Sequence, residues 1–302
     1  MKKFTLVSLL LAVVCWIVSA ATLISFGEKG FENISQEIVG RKLIEFQTKT
    51  EDLDPQQVQA IEEIEIISPS SSIEVLAAED NGLHVEYPGV EKGSMQGRPD
   101  GKKIRYDFTH YFEGSENKFM VKIFNGNGLI HISDMNASKI VFRVPKNIKT
   151  IKVKTQSGDL KVASVNGATL KFETQSGNLK VKKSNFSKVD GSSVSGDLRI
   201  QGYAQNMDLK TVSGEVRIQS ENKSPQLLAS TTSGDISIDF SEPPNSKLSF
   251  ESNSGEISVN TEGKVVEERK KDHVFKLGNG DGDIKLKTVS GDAKVRSLSG
   301  VF

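Results

Sequence analysis

The chain of 302 residues has a single cysteine, Cys15, and it lies inside an apolar N-terminal stretch. That excludes an intramolecular disulfide and any cysteine-based metal centre in the body, so stability must come from packing and backbone hydrogen bonds. A surplus of charge is also missing: Lys plus Arg number 39, and so do Asp plus Glu. Composition therefore gives no argument for nucleic acid or for a strongly anionic surface as partner. Aromatic residues are few, with one Trp and four Tyr. The histidines His84, His110, His131 and His273 stand apart, with no ligand-spaced pair, so no metal site is expected. No phosphate-binding glycine loop and no nucleic-acid motif occurs, and no cofactor is implied.

What is present begins with a targeting signal. Lys2 and Lys3 precede an apolar run from Phe4 to Phe26. Charge followed by apolar residues marks export, and a run of 23 residues exceeds the roughly 20 needed to span a bilayer as a helix. The expectation is a single-pass anchor over residues 4–26 with the body outside the cytoplasm. Cleavage after Ala20 and secretion is the alternative. Residues 27–63 read as a linker or cap. Phe31, Ile34 and Ile38 suggest a short amphipathic helix, and Asp54-Pro55 suggests a capped helical turn.

The body is dominated by a repeat. Thr-Gln-Ser-Gly-Asp-Leu-Lys-Val at 155–162 returns as Thr-Gln-Ser-Gly-Asn-Leu-Lys-Val at 174–181 and, with small changes, six more times. Aligned on Gly158, Gly177, Gly196, Gly214, Gly234, Gly255, Gly282 and Gly291, every copy is apolar two and four residues on, as in Leu160 and Val162. The residues between are polar. This period of two marks strands with one buried face. Seven residues before the glycine stands another apolar position, from Ile151 to Ile284, and three before it a small polar one, from Thr155 to Thr288. Stacked hydroxyl rows at that corner can bond between coils, and the glycine suits a turn with positive φ.

The glycines are 19, 19, 18, 20 and 21 residues apart over the first six copies, and 9 apart at the end. A coil of about nineteen residues thus holds two strand-turn units. One turn is always Ser-Gly-Asp-like; the other varies, as at 202–204 and 242–245. The fold expected is all-β: a β-solenoid regular over 151–302, preceded by an irregular β region with degenerate repeats over 64–150. Faint copies lie at 68–75 and 125–132, around an insert over 76–120 with strands near 83–87 and 103–112.

The Ser-Gly-Asp/Glu ladder, the Ile64–Val75 segment and the Phe142-Arg143-Val144-Pro145 step together resemble the putative-adhesin family of bacterial β-strand-repeat envelope proteins, over about residues 60–302. That resemblance implies an exported, envelope-facing β-repeat module.

The turns invite chemical readings as well. Calcium needs six to eight oxygens, and each turn offers one acid; only Asn279-Gly280-Asp281-Gly282-Asp283 approaches a calcium-binding run. A row of Asp159, Asp197, Glu215, Asp235 and Glu256 beside Lys161, Lys180, Arg199 and Arg217 reads as a solvated face rather than a catalytic pair, because it follows the repeat. The expected function is a non-catalytic binding or adhesion module for an envelope glycan or protein. Tyr203, Phe240, Pro243 and Pro244 on the variable turns are the candidate contacts. An envelope stress sensor or scaffold with a membrane partner, and a polysaccharide-cleaving β-helical enzyme, are the alternatives. Because the repeats run to Gly300, self-association through an open C-terminal edge is also expected.

Overall fold

The computed structural model describes residues 48–89, 95–111, 119–123, 130–134, 139–261, 264–268 and 273–297. The apolar segment 4–26 and the helix expected near 31–38 lie outside these. No helix among the described residues is long and apolar enough to cross a membrane. Gln47–Phe302 forms one compact unit.

In that unit 21 strands hydrogen-bond into one continuous sheet that folds back on itself. Each coil runs up one strand, turns at Ser-Gly-Asp, returns along a second, and bends into the next. In the Gly158 coil these strands are Thr150–Thr155 and Leu160–Ala163. Neighbouring coils pair in parallel with like residues opposite: Leu160 faces Leu179, Leu179 faces Leu198, and Leu198 faces Val216. The bend opposite the glycine turn is itself paired, so Leu179–Ser195 and Leu198–Ser213 run through it as single long strands. The alternation read from the sequence is the packing observed. Leu160, Val162, Leu179, Val181, Leu198, Val216, Ile218, Ile236 and Ile238 are all buried in one core with Ile151, Leu170, Val189 and Leu227. Each such side chain contributes roughly 1.5–3 kcal/mol of transfer free energy before ordering entropy is subtracted.

A second inward column shares space between coils. Val153, Phe172, Gly191, Leu209 and Ala229 stand in register. Where Phe172 and Leu209 are large, Gly191 between them is bare, and an added Cβ there would come within 3.1 Å of Leu179 and of Leu209.

The coils do not stack in chain order. The strand Gly282–Ser290 lies between Gln226–Ser233 and Ser246–Ser254, in parallel with both. Ala293–Ser297 likewise lies between Ile236–Phe240 and Ile257–Asn260. The last coil in sequence is therefore inserted ahead of the one that precedes it, so the strand with a single neighbour among the described residues at this end is Ile257–Asn260 and not the C-terminal Ala293–Ser297. The chain reaches this position through the hairpin Lys264–Glu268 and His273–Leu277, which adds antiparallel strands to Ser246–Ser254. The other end mirrors this. Glu63–Ser68 sits between Lys103–Asp107 and Thr150–Thr155. Ser72–Ala77 sits between Lys139–Val144 and Leu160–Ala163. Antiparallel Leu83–Pro88 and Thr48–Leu53 extend that end. The faint copy at 68–75 is thus a true coil. Residues 125–129 of the copy at 125–132 lie outside the described residues; its end belongs to Ile130–Asp134, which pairs antiparallel with Phe119–Ile123.

Asp54 caps the short helix Pro55–Val58 in a capping box with Gln57, as its sequence suggests.

Candidate functional site

The tight turns build one edge of the molecule, and their chemistry is structural. A Cβ added to Gly177 would overlap the carbonyl oxygen of Gly158. The same overlap recurs for Gly196 on Gly177, Gly214 on Gly196, Gly234 on Gly214, Gly291 on Gly234 and Gly255 on Gly291. Glycine is required by this backbone-on-backbone stacking. Positive φ, the reason inferred from sequence, applies in this column only at Gly234 and Gly291, with φ of 149° and 153°. Gly282 does not belong to the column: its neighbours are Ser246, Ser224 and Pro225 at the opposite edge. The Asn-Gly-Asp-Gly-Asp stretch imitates the turn motif without occupying its place.

The inward hydroxyls clamp successive turns. Ser193 donates to the Gly177 carbonyl at 3.1 Å, Thr211 to Gly196 at 3.0 Å and Thr231 to Gly214 at 3.3 Å. The turn carboxylates form a second clamp. Asp159 Oδ1 accepts the Asn178 N–H at 2.8 Å, Asn178 Oδ1 accepts that of Asp197 at 2.8 Å, and Asp197 Oδ1 accepts that of Glu215 at 3.0 Å. Asp235 accepts from Asp292, and Asp292 from Glu256, each at 2.9 Å. The row of acids is thus a hydrogen-bonded ladder, with one oxygen of each Asp committed to the next coil.

Beside it, on the outer face of the returning strands, runs a row of cations. Lys161, Lys180, Arg199 and Arg217 are direct cross-strand neighbours, at steps of about 4.8 Å. Glu74 closes one end, clasped by Lys139 and Lys161 and only 7% exposed; those hydrogen bonds hold its carboxyl below the usual range. Arg199 bonds Asp197 at 2.7 Å, and Arg217 bonds Glu215. Lys180, Lys182 and Lys183 have no ion pair among the described residues. Like charges directly opposite destabilise a sheet by up to roughly 1 kcal/mol per pair. On the outer face of the other strands Lys152 pairs with Glu63, Lys188 with Asp190 and Lys210 with Asp208, and like charges also meet there, Lys152 facing Lys171 and Asp190 facing Asp208.

Lys180, Lys182, Arg199 and Arg217 line an open trough of about 700 Å³ with Gln201, Gln219 and Ser237; Glu215, Asp235 and Asp292 of the ladder also reach it, as does the Asp239–Arg296 pair. A second hollow of about 550 Å³ continues past Lys180 and Arg199 to Lys161 and Glu74. A β-bulge shifts the register between Val181 and Ser184, and Lys183 there has φ of 47°. The bulge adds one residue and places a lysine in the left-handed region, at a cost of order 1–3 kcal/mol.

The contacts proposed from sequence fare differently. Tyr203 is 43% exposed on the variable edge, but Phe240 is 1% exposed and packs in the core. Pro243 is half-buried and Pro244 buried. A ligand can reach Tyr203 and Pro243 without rearrangement, and cannot reach the other two. The calcium-like stretch is internally satisfied: Asn245 Oδ1 accepts from the N–H groups of Asn279 and Gly280, and its amide donates to Asp281 at 2.6 Å. No cluster of metal-ligating side chains occurs among the described residues. His84 lies between two carboxylates, with Nδ1 at 2.7 Å from Asp52 and Nε2 at 2.9 Å from Asp80. These sit on opposite sides of the ring, a clamp rather than a shared ligand set. The trough could have been found from the Lys/Arg column at three residues past Gly158, Gly177, Gly196 and Gly214. The sequence does not show which of those cations lack a partner.

Stacked two-strand coils with glycine, hydroxyl and Asp ladders define a β-solenoid of the repeat-module class. Residues 61–296 match the Toastrack DUF4097 family model, and the chain belongs to that family. Among solved structures it is similar to a putative adhesin from Bacteroides fragilis, at 14% identity and a TM-score of 0.41, covering 83% of this chain and 97% of that one. It is also similar to a putative adhesin from Parabacteroides merdae (12%, TM-score 0.36, 84% and 96% covered). A third is a putative lipid binding protein from Parabacteroides distasonis (11%, TM-score 0.31, 84% and 97% covered). No sequence among the curated proteins matches the chain.

Proposed function

We infer that the chain is a non-catalytic binding module of the cell envelope, exported and held by residues 4–26, with its solenoid presented outside the cytoplasm. The observation that carries this reading is the division of labour among its polar groups. The Asp residues of the turns are tied into the ladder, while the trough face presents Lys180 and Lys182 without an ion pair among the described residues. A rigid face spanning several coils suits an extended partner. The test offers labelled, purified full-length protein to intact cells and isolated envelope fractions. Saturable binding is expected. Absence of saturable binding to every fraction would overturn the reading.

A further inference from the structure

We propose that the trough on the returning strands is a binding site for a linear polymer of phosphate groups; this deepens the binding-module reading and rests on it. Four cations stand in line across consecutive coils, Lys161, Lys180, Arg199 and Arg217, and span about 14 Å along the solenoid. Lys182 lies two residues from Lys180 on the same strand and is likewise exposed on the trough wall. A bound group at Lys180 therefore has Lys182 along the strand and Lys161 and Arg199 across it, each within a side chain's reach.

The fold uses three of these cations, since Lys161 pairs with Glu74, Arg199 with Asp197 and Arg217 with Glu215, and it leaves Lys180 and Lys182 over. Like charges face one another in register, and Lys180 and Lys182 have no acid partner among the described residues. Phosphate suits the cluster better than carboxylate. A phosphate has three or more acceptor oxygens and can take hydrogen bonds from several ammonium groups at once, where a carboxylate has two oxygens. Its concave, linear form suits a chain lying along the solenoid better than a flat lipid surface. No aromatic side chain lines it, so stacked bases are not what it reads.

The experiment compares three full-length proteins: wild type, a K180E/K182E variant, and a K247E/K276E variant. The last carries the same charge change at exposed lysines facing each other on the other strands. Binding to inorganic polyphosphate and to anionic phospholipid vesicles is measured at two salt concentrations, with unfolding midpoints to confirm folding. Polyphosphate should bind the wild type, weaken with salt at a slope of roughly 0.7–0.9 per phosphate neutralised, and lose at least about tenfold in affinity in K180E/K182E. K247E/K276E should lose less than about twofold. No polyphosphate binding, or equal loss in both variants, overturns the proposal. So does vesicle binding that depends on Lys180 and Lys182 without polyphosphate binding, which would make the trough a lipid contact. The two readings fail separately. If K180E/K182E binds envelope fractions as well as the wild type, the polyphosphate site falls and the binding module stands. If polyphosphate binds through Lys180 but no envelope fraction does, the reverse holds.

Discussion

A Cβ at position 196 would meet the Gly177 carbonyl, and neither backbone can retreat without breaking the ladder on both sides. Gly196→Ala should therefore cost at least about 2–3 kcal/mol. Gly167→Ala, whose Cβ would meet its neighbours at 3.1 Å, should cost roughly 1 kcal/mol or less. Chemical denaturation of the two variants checks the contrast, and equal losses would refute the stacking argument. The Asp ladder predicts a gain. Glu215 is followed by the Gly234 coil but makes no bond to its turn, whereas Asp197 reaches the Glu215 N–H. Glu215→Asp should extend the ladder and stabilise by about 0.5–1.5 kcal/mol, read as a raised unfolding midpoint. Much of this column was legible, because each repeat repeats its chemistry. Its cause was not: a sequence shows that glycine recurs, and only the stacked backbones show that a carbonyl oxygen occupies the place of its Cβ. Gly282 was misread for the same reason. Asn279–Asp283 has the composition of the turn, and composition does not say which edge a loop occupies.

At the scale of elements, His84 ties the strand Leu83–Pro88 to Asp52 on Thr48–Leu53 and to Asp80 in the preceding turn. Its hydrogen bonds to Asp80 and then Asp52 raise its pKa above the ordinary value. A raised folded-state pKa stabilises fully below the unfolded value near 6.5 and loses that contribution as pH rises through the folded value. Asp80, held low chiefly by His84, works in the opposite sense and loses its contribution only in acid. The antiparallel cap should therefore be firmest between these limits and loosen from about neutral pH upward. Hydrogen exchange of the amides of 48–53 and 83–88 should speed up across that range beyond the intrinsic rate. In His84→Gln the extra acceleration should vanish; if it persists, the clamp is not its source. Strand existence was legible here from alternation, as at Leu83, Val85 and Tyr87. The pairing direction was not, because an antiparallel cap and a parallel coil bury the same residues.

The whole molecule poses a question that periodicity leaves open. Every coil presents the same apolar columns, so any coil can stack on any other as far as burial is concerned. Near the C-terminus the coil at 226–240 is followed in space by 282–297 and only then by 246–260. The decision lies in the links. The hairpin at 264–277 pairs antiparallel with Ser246–Ser254 and occupies the side on which the next coil in sequence would have stacked. The chain then returns on the inner side, where Asn245 holds Asn279 and Gly280. The coil at 282–297 is thus held between two others, so fraying from its C-terminal side cannot simply peel the ladder. The order can be tested by cross-linking in a Cys15→Ser background. Ser237 faces Lys294, and Lys294 faces Ser258, so S237C/K294C and S258C/K294C place paired cysteines on adjacent strands. Their Cα atoms lie within the 4.4–6.8 Å that a disulfide bridges, while positions 237 and 258 stand two steps, about 9.6 Å, apart. Mild oxidation should join the first two pairs and leave S237C/S258C reduced. Stacking in chain order would instead join S237C/S258C and leave S237C/K294C open, so the pattern of the three variants decides which coil follows the Gly234 turn.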